Sequence, residues 1–402
     1  MSAEPTASGL RTSPLAFLMT LAFINWIGFA GWSAVLHNFT IERAGFGWFE
    51  TGLTQTVREI PGFLAFTAIF WIAWFREQTI AYVSLLVLGI GVALTGLVPT
   101  LTGVLITTFV MSVGFHYFET INQSLQLQLL PKSQAAQGMG RIASASAVAQ
   151  FLAYGGIAAA WWMGWRAYGT IYLVIGGLCA VMAIAAFAWF GRLEGPTPQR
   201  KTIVLRSRYW LYYVVVFMSG ARRQIFIAFG GFLLVKVFGY SLADIAILML
   251  VTSGLTTVLA PQLGRLVAAI GERNTMIIEN VVLIIVFAGY ATTGSGLVAG
   301  ALFVIDGVFF TLILAQRTYF QKIGDPADMA ATASVSFTIN HIAAVFIPVT
   351  FGLLGMGNPS IIFWLGVVIA TASLLLALLV PRHPSPGQET ILQSPPAPQP
   401  AV

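Results

Sequence analysis

His116, Glu119, Gln123 and Gln126 follow one another at spacings of three, four and three inside an otherwise apolar run. On an α-helix that spacing gathers all four within about one quarter of the circumference. A carboxylate at membrane depth is costly unless it is paired or meets water, so the stripe must face polar surroundings. Carboxylate and imidazole groups take up and release protons, and amides beside them are suited to orienting a solute. The same stripe also fits a network of hydrogen bonds between helices with no role beyond packing.

With the loop charges set aside, the remaining ions are Arg58, Arg222, Arg223 and Arg317, with Glu59, Glu119, Glu279 and Asp306. Arg222 and Arg223 sit mid-run and point about 100° apart, so only one of them can face a ligand squarely. A guanidinium fork matches a carboxylate or phosphate and keeps its charge. That suggests an anionic solute, with Arg58 contributing, or else a permanent partner among Glu119, Asp306 and Glu59. Asp306 is a second candidate proton site. Arg317, on the same face and ~16 Å further along, is expected at a gate or loop contact.

Arg58 and Glu59 are sequence neighbours and are expected to project to different sides of their helix. Pro61, just beyond them, removes a backbone donor and invites a kink, which makes this segment a candidate gate. Glu279 lies near the end of its run and is expected to reach the surface or to pair with Arg265 or Arg273. Asn25 beside Trp26, and Ser334, Thr338 and His341 on one helical face, are weaker candidates for lining a binding site, because small polar residues in membrane helices mostly make packing contacts.

Hydrophobic residues occupy 57% of the 402 positions and charged residues 8%, too little charge to solvate a large soluble surface. The chain reads as an all-α integral membrane protein. Its net charge of +6 is dispersed, with no Lys/Arg run or basic-aromatic platform, which argues against nucleic acid as a partner. Cys179 is the single cysteine, so no intrachain disulfide or thiolate metal cluster can form. There is no Gly-Lys pair, hence no phosphate loop, and no His-Glu-x-x-His; His37, His116, His341 and His383 are scattered. No catalytic residue, metal or cofactor is expected, and an intramembrane enzyme built on Glu119 and His116 has little support.

A bilayer core takes ~20 apolar residues per helix, and about twelve such runs fit the chain. Six fall near 14–37, 51–72, 79–98, 102–130, 139–163 and 168–190, and six near 209–235, 242–264, 274–294, 297–321, 328–355 and 359–381. The expected organisation is a cytoplasmic segment 1–13, a six-helix bundle 14–190, a basic link 191–208, a second bundle 209–381 and a disordered Pro-rich tail 382–402. With the N-terminus inside, thirteen lysines and arginines fall in cytoplasmic segments and three, Arg43, Arg166 and Lys236, fall outside. The positive-inside rule therefore places both termini in the cytoplasm, and the cell's inner membrane is the expected location.

The two halves carry the same punctuation. Gly45-Phe46-Gly47-Trp48-Phe49-Glu50 returns as Gly239-Tyr240-Ser241-Leu242-Ala243-Asp244, and Pro131 is echoed by Pro326. Glu50 and Asp244 are expected to favour the starts of the helices that follow. Such doubling points to paired repeats around a central site.

Two six-helix halves, a short basic link and this repeat together resemble the major facilitator superfamily. Gly264-Arg265-Leu266 followed by Gly271-Glu272-Arg273 is similar to that superfamily's loop after the second helix of a half, with Ala268 where its Asp is expected. The first-half counterpart, Trp74-Phe75-Arg76-Glu77, lacks both glycines. The resemblance implies two pseudo-symmetric halves around a central cavity, with the third and sixth helices of each half facing lipid. The charges fit that arrangement except for Glu279.

The resemblance further implies transport of a small molecule across the bilayer by alternating access, within one chain and so as a monomer. The expected assignment is proton coupling through Glu119, His116 and Asp306, solute contacts from Arg222, Arg223, Arg58, Gln123, Asn25 and His341, and gating by Glu59, Arg317, Gly264, Gly271 and Arg273. The solute read from the arginines is a small organic anion. Trp26, Trp32, Trp161 and Trp162 suggest instead an exporter of amphipathic compounds, and the degenerate first-half loop suggests a receptor or assembly factor that no longer transports.

Overall fold

The computed structural model describes residues 9, 11–130, 135–193, 205–325 and 329–393. Pro131, Pro326 and most of the link lie outside them. Among the described residues the regular elements are all helices.

The first half begins with α1 (Pro14–Ala44), then α2 (Trp48–Phe63), α3 (Ala68–Trp74), α4 (Glu77–Thr95), α5 (Leu101–Leu129), α6 (Ala135–Trp162) and α7 (Tyr168–Trp189). Then come α8 (Trp210–Ile225), α9 (Gly231–Lys236), α10 (Leu242–Thr292), α11 (Gly296–Phe309), α12 (Leu314–Ile323), α13 (Met329–Leu354) and α14 (Ser360–Leu378). Helix α1 shows how the ends are set. Ser13 accepts a hydrogen bond from the Ala16 amide at 3.3 Å, Pro14 occupies the first turn, and Gly45 closes the helix in the left-handed region.

Ten helices among the described residues are long and apolar enough to cross a membrane. The two remaining expected runs coincide with divided helical stretches. Pro61 is followed by a 3-10 turn, Leu64–Thr67, between α2 and α3, the kink expected from its missing donor. A π-turn, Phe226–Gly230, separates α8 from α9 just beyond the arginine pair, a deviation found often at functional sites.

The repeat is visible in backbone geometry. Gly45 and Gly239 have φ of 69° and 70°. Three residues into each following helix an acid accepts from the preceding backbone: the Gly47 amide donates to Glu50 at 2.9 Å, and the Ser241 amide to Asp244 at 2.9 Å. Both acids thus cap helix starts.

The chain forms two compact units: 1–50 with 57–199 and 235–253, and 51–56 with 200–234 and 254–402. The boundary therefore differs from a single cut at the link, since each half contributes a short segment to the other unit. The first unit has a continuous core from Phe17 through Ala186, completed by Leu242, Ala243 and Ala246. In the second, Tyr209, Tyr212, Tyr319 and Phe320 anchor a cluster with Val267 and Val380.

The tail departs from expectation. Residues 382–393 fold against the second unit rather than standing apart: the Ile391 amide donates to Leu379 O at 3.0 Å and the Tyr319 hydroxyl to Glu389 O at 2.5 Å. Gln393 accepts from the Glu389 and Thr390 amides, and the Glu389 carboxylate accepts from the Gly387 amide. These local bonds satisfy the backbone of a proline-rich segment that composition alone reads as disordered. Residues 394–402 lie outside the described residues.

Candidate functional site

Helix α1 is buried along almost its whole length, and from residue 17 to residue 40 it stays partly accessible only at Met19, Thr20, Phe23, Trp26, Phe29 and Ser33. Those positions form one stripe. On α5 the matching face is Phe115, Glu119, Gln123 and Gln126. Phe29 and Phe115 stack with centroids 4.1 Å apart, and Trp26 stands edge-on to them at 5.8 and 6.3 Å. Glu119 Oε1 accepts from Asn25 Nδ2 at 2.9 Å.

The position of α5 is fixed by close packing on α4. A Cβ built at Gly114 would lie 2.5 Å from Ser84 O and against the Leu88 amide, so only glycine permits this approach.

His116 does not share the Glu119 face; it is buried and turned toward α2. Its Nε2 lies 3.9 Å from Glu59 Oε2, and its Nδ1 lies 2.9 Å from Ser112 Oγ, which in turn donates to Arg58 O. With the serine hydroxyl donating to that carbonyl, Nδ1 carries the hydrogen. Arg58 and Glu59, expected on different sides, form a buried ion pair with each other. A long arginine side chain bridges an angular separation that the backbone sets, and burial leaves no water to serve either charge. Arg58 also lies over the Phe29 ring, its Cζ 5.9 Å from the centroid.

The second unit holds another buried polar cluster. Arg222 Nη2 donates to Glu279 Oε1 and Nη1 to Asn280 Oδ1, each at 2.5 Å. Glu279 is therefore neither at the surface nor paired with Arg265 or Arg273 as expected; it is 2% exposed and neutralises Arg222. Asp306 is buried within electrostatic range of both. Glu279 Oε2, Asp306 Oδ2 and the Tyr290 hydroxyl have no hydrogen-bond partner among the described residues. Arg223 is exposed, its Cζ 5.1 Å from the centre of the Phe310 ring, so the two arginines do diverge as their spacing requires.

Residues 15–348 match the sequence profile of the Major Facilitator Superfamily. The chain belongs to this superfamily. It is a multi-pass membrane transport protein rather than an enzyme. The nucleoside transporter NupG superposes with a TM-score of 0.76 at 13% identity, over 91% of this chain and 99% of that one. A bacterial homologue of the human lysosomal transporter Spinster, inward-facing and occupied, gives 0.74 at 14%, over 98% and 100%. The peptide transporter POT with sulfate gives 0.68 at 15%, over 90% and 92%. At these identities the likeness is one of fold. No curated protein matches the sequence in a direct comparison.

The superfamily loop motif takes a definite shape here. Gly271, with φ +79°, breaks α10 into two arms. Among the described residues, a Cβ at Gly264 would meet only Leu314 Cδ2, at 3.9 Å. The ion pair at this turn involves Glu272, which is buried and lies 2.7 Å from Lys322 Nζ. The sequence signal for that pair is the acid inside the motif, Glu272, next to the Arg273 expected to act there. Asp306 and Arg317 do not share a face. The 3-10 turn Phe310–Ile313 between α11 and α12 resets the helical phase, leaving Asp306 buried and Arg317 exposed. His341 is buried and its Nδ1 donates to Phe337 O at 2.8 Å, Thr338 is partly accessible, and the Ser334 side chain lies outside the described residues.

Proposed function

We propose that this superfamily member is a secondary active transporter that couples proton movement to the passage of a small organic solute by alternating access. The observation that carries the reading is the Glu119 carboxylate on a partly accessible aromatic face, with Asn25 as its hydrogen-bond partner. An amide is well matched to a group that changes protonation: Nδ2 donates to a carboxylate, and Oδ1, which has no hydrogen-bond partner among the described residues, accepts from a carboxyl after a flip. Glu119 then keeps the same neighbour in both states while gaining or losing charge.

Asp306 is proposed as the second proton-linked acid, and the Arg58–Glu59–His116 group, beside the Pro61 kink, as a gate. We further propose a monomer in the cell's inner membrane with both termini cytoplasmic, following the charge asymmetry of the loops. For the solute, the anion reading rests on free guanidinium groups. Arg58 and Arg222 each have an internal carboxylate, which weakens that reading, and the aromatic face favours an amphipathic compound.

The test is transport by purified protein in proteoliposomes carrying an imposed pH gradient. Solute accumulation or depletion that collapses with a protonophore supports the reading; movement indifferent to the gradient contradicts the coupling.

A further inference from the structure

Granting that this face of the first unit is where the transporter takes its solute, its composition narrows the chemistry. We infer that the solute combines a flat apolar body with a positively charged amine, the body resting on Trp26, Phe29 and Phe115 and the amine meeting Glu119.

The argument starts from what remains unpaired. Arg58, behind the Phe29 ring, is matched by Glu59, so its charge is cancelled close by. Glu119 has no ion-pair partner among the described residues, and its one hydrogen bond, from Asn25, occupies Oε1. The Oε2 atom is left to meet water or a ligand. When ionised, the face therefore carries a single uncompensated negative charge. An anion placed there meets repulsion, whereas an ammonium gains a charge-assisted hydrogen bond.

The aromatic rings add a second preference. A ring face attracts cations through its quadrupole and accepts flat apolar groups by stacking. Trp26 stands at 89° to both Phe29 and Phe115, so the three rings present a stacked pair and a perpendicular wall. Lipid is a poor alternative occupant, because the same face holds Glu119 and Gln123, and a carboxylate against hydrocarbon is strongly disfavoured. Gln123, one turn beyond Glu119 and exposed, supplies a further donor and acceptor for a polar substituent.

Three probes share one ring system and differ in charge: tryptamine, indole-3-propionate and uncharged 3-methylindole. Binding to the purified full-length protein is measured by titration calorimetry, with intact folding of each variant checked by its melting curve. Tryptamine is expected to bind about tenfold tighter than indole-3-propionate, the scale of one charge-assisted hydrogen bond. Glu119→Gln, which keeps the side-chain shape and an acceptor for Asn25, should remove that advantage, and Trp26→Ala should weaken all three probes. Equal or tighter binding of indole-3-propionate, a ranking unchanged by Glu119→Gln, or no tryptamine binding at all would overturn the inference. Tryptamine that binds through Glu119 yet does not move across proteoliposome membranes would leave the recognition standing and remove the transport reading instead.

Discussion

Arg222 and Glu279 meet at 2.5 Å inside the second unit, from helices α8 and α10. The contact decides how the helix-borne arginines are read. A guanidinium that looks from sequence like a receptor for an anionic solute already holds a carboxylate and the Asn280 amide. Removing one member of such a pair strands a buried charge. Glu279→Leu is therefore expected to lower stability by about 3–5 kcal/mol, measured by thermal unfolding in detergent, while the double change Arg222→Met with Glu279→Leu should recover much of the loss. Equal losses in the single and double variants would mean the pair is not coupled.

Packing between α4 and α5 yields a second expectation. Gly114→Val places atoms against Ser84 O and the Leu88 amide, which should cost about 1–3 kcal/mol through displaced helices. Because α5 carries Glu119, the variant should also lose binding at the aromatic face. Unchanged melting and binding would contradict the close approach.

At the superfamily motif, the two glycines should separate. Gly271 has φ +79° and ψ 165°, a region held almost only by glycine and costing other residues about 1–3 kcal/mol, whereas Gly264 has room for a methyl. Gly271→Ala is expected to destabilise, and Gly264→Ala to be tolerated or mildly stabilising within its helix. Thermal unfolding of both variants checks the order.

The folded-back tail predicts protection. A chain ending at Arg382 loses the Ile391–Leu379 and Tyr319–Glu389 hydrogen bonds, and its melting temperature should fall. Limited proteolysis of the intact protein should spare residues 382–393. Rapid cleavage there, with melting unaffected by the truncation, would show the tail to be unattached.

Much of this was legible from the residues. Apolar run length located the helices, the Gly45 and Gly239 repeat foretold two matching turns capped by Glu50 and Asp244, and Pro61 marked the break after α2. Pairings were not legible, because they depend on which helices are neighbours and on how far long side chains reach. Glu279 looked like a surface residue by its position in the run, yet packing turns it toward Arg222. His116 shares a helical quarter with Glu119 by spacing, but α2 draws it away. The 3-10 turn between Asp306 and Arg317 broke a phase that uniform helical spacing assumes, and no proline or glycine within Phe310–Ile313 announces it. The Asn25–Glu119 contact spans 94 positions, a separation at which local pattern carries no information.

The central claim is that Glu119 links proton movement to solute movement. The direct measurement compares wild type and Glu119→Gln in proteoliposomes, following both pH-gradient-driven accumulation and solute exchange at equal pH. The variant is expected to lose accumulation, since its side chain carries no exchangeable proton, and to keep exchange at solute concentrations raised about tenfold to offset the lost contact with the amine. Accumulation that survives in Glu119→Gln at the wild-type level would contradict the coupling role.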